Sequence, residues 1–215
     1  MAILDGGLRT PEGLVRLARA LARGGIRVFQ LRWKGGHDRA VIGVALRIGK
    51  AVPGCSLLLN DRVDLAVAAG AAGVHLGAED LPAAVARHIL GPGRVVGLSA
   101  GTPAEVARAV AARPDYVSLG PAFRTGTKAD AGRPLGPRGV RRLRRLVPAG
   151  LPVLAVGGIN SDNGASLVTA GVTAVAVASW WPRPKRAARA ACEMLAAVRG
   201  TGNAAGRQGR TTRTW

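Results

Sequence analysis

The chain has 215 residues, 48% hydrophobic and only 3% aromatic, enough apolar material to bury one sizeable core of small and branched side chains. Its formal net charge of +19 favours anionic partners. Yet the arginines are spread over nearly every helix-like segment (Arg16, Arg19, Arg23, Arg108, Arg113, Arg141, Arg145) without the interleaved aromatics of a base-stacking surface, which speaks against a dedicated nucleic-acid role.

Taken in chain order, short apolar runs alternate with segments of helical spacing. Residues 1–4 offer a first strand, clipped at its start, because residues 8–23 read as an amphipathic helix that needs a strand before it. Strands then follow at 26–31, 56–60, 73–76, 94–98, 115–119, 152–156 and 173–178. Helices fall between them at 38–51, 63–69, 81–90, 102–111, 137–146 and 161–170, and a last one at 184–198; Pro103 and Pro137 suit first turns. Eight βα repeats in about 200 residues fit a single α/β domain over residues 1–199, a closed (β/α)8 TIM barrel, better than an open doubly wound sheet. Residues 200–215 are polar, rich in Gly and Arg and without periodicity, which predicts a disordered basic tail.

Cys55 and Cys192 stand far apart with no CxxC pairing, so neither a disulfide framework nor a zinc site is expected. The N-terminus lacks a basic leader with an apolar stretch behind it, and no run of about 18 apolar residues occurs. A cytoplasmic protein without membrane association is expected. Nothing in the sequence sets the oligomeric state, and a homo-oligomer is compatible with it.

A parallel barrel delivers all its strand ends to one face, so those ends read as one candidate site. They carry Gln30, Arg32 and Lys34; Asn60, Asp61 and Arg62; His75, Gly77 and Asp80; Ser99; the loop 120–130 with Thr125, Thr127 and Lys128; Gly157 and Gly158; and Ser179. Asp61 and Asp80, on neighbouring strand ends, suit a hard cation such as Mg²⁺ held through oxygen. Each equally suits capping of the helix that follows it. Arg32, Lys34 and Lys128 would bring three cations to a bound pyrophosphate, and the TGT stretch before Lys128 makes a hydroxyl- and amide-rich loop able to close over an anion. Gly157-Gly158 and Ser179 occupy the place where barrels commonly hold a monophosphate, whereas His75 reads as a core hydrogen-bonding residue.

In order, the segments QLRWK, NDRVDLAVAAGAAGVHLGAEDLP, GLSAGTPAE, DYVSLGPAFRTGTKADAGRPLG and PVLAVGGI resemble the successive signatures of the thiamine phosphate synthase family. The match runs from position 30 to 159 and extends through residues 175–179. The resemblance implies a Mg²⁺-dependent transferase that condenses hydroxymethylpyrimidine pyrophosphate with thiazole phosphate. It implies that Asp61 and Asp80 hold the metal and that Arg32, Lys34, Asn60 and Lys128 meet the pyrophosphate. Gln30 would sit beside the pyrimidine, Ser99 would face pyrimidine or pyrophosphate, and Thr125, Thr127, Gly157, Gly158 and Ser179 would surround the thiazole phosphate. Ser99 and Lys128 are the implied catalytic residues. Pyrophosphate would depart first, leaving a pyrimidine-methyl cation for the thiazole nitrogen, and no protein nucleophile is needed.

Several positions depart from that pattern. Gly101 stands where a His is usual, Ala78 where a Gln is, Trp33 where an acidic residue is, and Arg124 where a Pro is, while Trp180-Trp181 is unusual. The alternatives are a thiazole tautomerase-like isomerase on the same barrel, against which Lys128 and Gly101 argue, and a diverged, catalytically weak barrel that binds phosphorylated ligands or RNA.

Overall fold

The computed structural model describes residues 1–127 and 132–199; the tail expected at 200–215 and Lys128 lie outside them. The strands are β1 (Ala2–Asp5), β2 (Val28–Arg32), β3 (Ser56–Asn60), β4 (Gly73–Leu76), β5 (Val95–Ala100), β6 (Tyr116–Leu119), β7 (Val153–Val156) and β8 (Ala174–Ala176). The helices are α1 (Pro11–Arg23), α2 (Asp38–Ala51), α3 (Val63–Ala68), α4 (Ala83–Leu90), α5 (Pro103–Ala111), α6 (Gly136–Arg144), α7 (Gly164–Thr169) and α8 (Pro184–Arg199). The strands pair in parallel in sequence order. Ile3 N–H donates to the Val177 carbonyl (2.8 Å) and Val177 N–H to that of Met1 (3.1 Å), which closes the sheet into the expected barrel.

Most boundaries shift by one to three residues from the periodicity, and three bear on the argument. The first strand is not clipped short: β1 has four residues, as many as β4, β6 and β7, and reaches Asp5 opposite Arg32. Helix α1 starts at Pro11 rather than residue 8 because Thr10 caps it, its hydroxyl accepting from Gly13 N–H at 3.2 Å. Helix α7 starts at Gly164 rather than 161 because the Asn160 side chain accepts the N–H groups of Asp162 and Asn163 (both 3.0 Å), a turn that uses up those residues.

Alternation along the strands sorts two cores. Outward residues such as Leu4, Phe29, Leu31, Leu59, Val74, Leu76, Val117 and Leu119 are buried under the helices. Leu14, Leu17, Ala18 and Leu21 make the matching stripe of α1. Inside the barrel, Ile3, Leu58, Tyr116, Leu154 and Ala176 form one small apolar layer. Two residues further along three of these strands the inward positions turn polar, from Ile3 to Asp5, Leu58 to Asn60 and Tyr116 to Ser118. The apolar layer is thus the floor on which the polar rim stands.

Replacing Leu58 by Ala, 2% exposed in that floor, is expected to lower unfolding stability by about 2–5 kcal/mol, since the closed barrel cannot collapse around the cavity. Urea titration of wild type and variant checks this; a loss under about 1 kcal/mol would mean the floor repacks.

Candidate active site

The turn after β3 is the most constrained part of the rim. Asp61 N–H donates to the His75 carbonyl (2.9 Å), extending the β3–β4 ladder one residue, and Arg62 N–H then donates to the Asn60 carbonyl (2.7 Å). This closes a three-residue γ-turn centred on Asp61 at φ 63°, a left-handed conformation that costs a non-glycine residue about 1–3 kcal/mol. The capping alternative for the two carboxylates fails. The N-cap of α3 is Arg62 and that of α4 is Pro82, neither with a side-chain cap bond, and Asp80 Oδ2 instead accepts Gly77 N–H at 2.7 Å.

Released from capping, the Asp61 carboxyl lies near enough to that of Asp80 to feel its charge. Burial, then the hydrogen bond and charge of Asp80, push the Asp61 pKa up to about 6 against the opposing pull of Lys34. The Lys34 ammonium is 3.4 Å from Asp61 Oδ2 and mostly exposed.

The other rim residues are fixed by neighbours. Buried Gln30 donates from Nε2 to Asn60 Oδ1 (3.2 Å) across β2 and β3. Arg32 Nη1 donates to buried Asp5 Oδ2 at 2.7 Å, a partner that a first strand ending at residue 4 leaves out and that one more residue of alternation brings in. Arg62, by contrast, turns away from the rim and clasps Asp38 (2.8 and 2.9 Å) and Asp64 (2.9 and 2.6 Å) at the starts of α2 and α3, holding both carboxyls below their ordinary range. Ser99 Oγ lies 2.8 Å from His75 Nε2, so the histidine read as a core residue reaches the site through the serine.

On the far side of the rim, the loop after β6 is sewn to the end of β7. Ala122 N–H donates to the Val156 carbonyl (2.7 Å) and Phe123 N–H to that of Gly157 (3.0 Å). Gly157 and Gly158 both have positive φ, 101° and 62°. A Cβ at 158 would stand 2.9 Å from Phe123 Cβ, so only glycine lets the two loops meet. Asn163 Nδ2 donates to the Gly158 carbonyl at 2.9 Å. The Thr125 hydroxyl is 3.3 Å from that of Thr127 and accepts its N–H at 3.3 Å, both residues half-buried. Ser179 is exposed just past β8. The predicted residues thus fall into two groups, Gln30, Arg32, Lys34, Asn60, Asp61, Asp80 and Ser99 on one side and Thr125, Thr127, Gly157 and Gly158 on the other.

The fold and rim define a (β/α)8 barrel with an acid pair, amides, hydroxyls and cations at the strand ends, the usual place for catalysis in such barrels. No helix among the described residues is long and apolar enough to cross a membrane. Residues 1–180 match the family described as thiamine monophosphate synthase. A thiamine-phosphate synthase of Moorella thermoacetica is 42% identical over 178 residues, 82% of this chain and 82% of that protein. One of Methanoculleus marisnigri is 46% identical over 165 residues, 76% and 77% of the two chains. The solved thiamine phosphate pyrophosphorylase of Pyrococcus furiosus superimposes with a TM-score of 0.83 at 30% identity, covering 94% of this chain and 96% of that one. The chain belongs to the thiamine monophosphate synthase family of transferases.

Because the Asp61 pKa is raised to about 6 from 3.8, the folded protein holds more protons than the unfolded chain between those values. The stability contributed by this group therefore falls as pH rises through that window. Asp80→Asn, whose side-chain oxygen can still accept from Gly77, is expected to move the Asp61 titration down towards 3.8 and to flatten that pH dependence. Carboxyl ¹³C NMR of metal-free protein and urea midpoints from pH 4 to 7 check both; an unmoved midpoint would remove Asp80 as a cause of the shift.

Proposed function

We propose that the barrel is a thiamine-phosphate synthase, joining hydroxymethylpyrimidine pyrophosphate to thiazole phosphate. The bond from the pyrimidine methylene to pyrophosphate breaks, a bond to the thiazole nitrogen forms, and pyrophosphate leaves with the electron pair. The family match over residues 1–180 supports this. The observation that carries it at the site is the placing of two carboxylates at neighbouring strand ends, Asp61 held in its γ-turn with the Lys34 ammonium 3.4 Å from Oδ2 and Asp80 fixed by Gly77 N–H at 2.7 Å.

Such a pair has an all-oxygen donor set and surplus negative charge, which fits Mg²⁺. Among the described residues no group of three or more His, Cys, Asp or Glu could hold a metal; Mg²⁺ commonly uses one or two carboxylates and takes its other ligands from water and phosphate. Bound at Asp61 and Asp80, the ion would neutralise charge developing on the departing pyrophosphate.

The chain's own residues do the rest by positioning and charge. Arg32 keeps most of its guanidinium N–H groups for the pyrophosphate, because the bond to Asp5 uses Nη1 and fixes the fork. Lys34 and Lys128 add point charges, and the Asn60 amide, oriented by Gln30, adds a neutral donor. Gln30 borders the pyrimidine. Ser99 meets the pyrimidine or pyrophosphate, while Thr125, Thr127, Gly157, Gly158 and Ser179 take the thiazole phosphate. A ring of fixed donors suits a dissociative reaction in which the cation forms as pyrophosphate leaves. The reading includes a cytoplasmic setting among soluble phosphorylated substrates; no specific observation favours the isomerase or RNA-binding alternatives.

Purified protein with both substrates and Mg²⁺ is expected to yield thiamine phosphate and pyrophosphate, followed by chromatography; no Mg²⁺-dependent product would overturn the proposal. Lys128→Ala is expected to lower kcat by about 10²–10³-fold with the fold unchanged, the scale on which donors to developing anionic charge act. Steady-state kinetics alongside circular dichroism check this, and an unchanged kcat would take Lys128 out of the site.

A further inference from the structure

Tyr116 begins β6 on the apolar floor, 5% exposed, and its ring crosses the strand beside it. Its register partner on β5 is Gly97, where any Cβ would overlap the phenol ring. The Tyr116 hydroxyl lies 2.9 Å from His75 Nδ1, with the two rings stacked at 5.5 Å and 17°. His75 Nε2 lies 2.8 Å from Ser99 Oγ. Tyr116, His75 and Ser99 therefore form one hydrogen-bonded line from the floor to the rim.

The direction of the protons along this line follows from its buried end. Burial pushes the Tyr116 phenol well above its ordinary pKa, so it stays neutral and carries one proton. Among the described residues, His75 Nδ1 is the partner its hydroxyl meets. Were Nδ1 protonated, two donors would face each other or the phenol proton would be buried without an acceptor, a costly arrangement. The phenol therefore donates to Nδ1, the imidazole proton sits on Nε2, and Nε2–H donates to Ser99 Oγ. The serine's own proton is then turned away from the histidine. In the opposite tautomer Ser99 would donate to Nε2 and offer only lone pairs to an anionic substrate.

The geometry points to Tyr116 as a positioning residue which, through the tautomer of His75, holds the Ser99 hydroxyl as a donor to an anionic oxygen of the pyrophosphate-bearing substrate. This rests on the synthase reading for the substrate's identity, but not for the tautomer.

The test combines spectroscopy with kinetics. In substrate-free protein with ¹⁵N-labelled histidine, the resonances of His75, one of three histidines and assigned by their loss in His75→Gln, are expected to show Nε2 protonated and Nδ1 bare. In Tyr116→Phe the Nδ1 resonance is expected to shift as its donor is lost. There kcat should fall about tenfold, the effect of withdrawing one ordinary hydrogen bond from the transition state, with little change in KM for thiazole phosphate. In a double-mutant cycle, Ser99→Ala should cost less in the Tyr116→Phe background than in wild type. A protonated Nδ1 in wild type, or additive losses from the two substitutions, would overturn the relay. If wild type made no thiamine phosphate, the synthase reading would fall and the wild-type tautomer would decide the relay by itself.

Discussion

Closure of the sheet between β1 and the end of β8 is the constraint on which the rim depends. Ile3 and Val177 exchange the joining hydrogen bonds with Met1, and the Met1 ammonium donates to the Val175 carbonyl at 2.9 Å. The parallel register then carries alternation round the ring without a break, so one set of side chains faces the helices and the other fills the barrel. The inner set is small. Among the described residues five buried side chains make its apolar floor, and the polar side chains that point inward beyond them must each find a polar partner or water. Asp5 finds Arg32, Gln30 finds Asn60, and His75 finds both Tyr116 and Ser99; among the described residues no buried side-chain nitrogen or oxygen lacks a partner.

Against that satisfied interior, the Asp61–Asp80 pair is frustrated. Asp61 is held in a left-handed γ-turn and its carboxyl against one of like charge, two costs that fall on one residue. They persist because both sides of the turn are anchored: Asp61 N–H is fixed to the β4 ladder, and Arg62 is tied down by two aspartates. A cation between the carboxyls would relieve the electrostatic cost, and a substrate phosphate would complete its coordination. The strain thus sits where a ligand can offset it, while the outer shell of Leu, Val and Ala supplies the stability that makes it tolerable.

Periodicity made the barrel legible, because helices of period 3.6 and strands with flanking turns leave local marks on the chain. The rim was legible to the same depth: Asp61, Asp80, Lys34 and Ser99 stand one or a few residues past an apolar run, and parallel topology sends all such positions to one face. What stayed hidden depends on cross-strand register or on single dihedrals. Asp5 beside Arg32 is a register fact. The outward turn of Arg62 follows from the positive φ of the residue before it, and the passage of Tyr116 across Gly97 joins residues nineteen apart. The capping alternative at Asp61 was reasonable by residue type and was defeated by the same γ-turn.

The departures at positions 101 and 33 follow from local packing. A Cβ at Gly101 would come within 2.7 Å of the Gly120 carbonyl oxygen, and Gly101 N–H is bound to the Glu105 carboxylate at 2.6 Å near the start of α5. A side chain at 101 would have to displace the root of the β6 loop. Trp33 fills the space over Gly6 and Gly36, and a Cβ at 36 would stand 2.9 Å from its ring; it braces the β1 and β2 loops against each other. Trp181 does not stand in the mouth of the barrel, since it is 2% exposed in the outer core with its indole N–H on the Val177 carbonyl at 2.8 Å. That bond ties the packing of the last loop to the residue that closes the sheet.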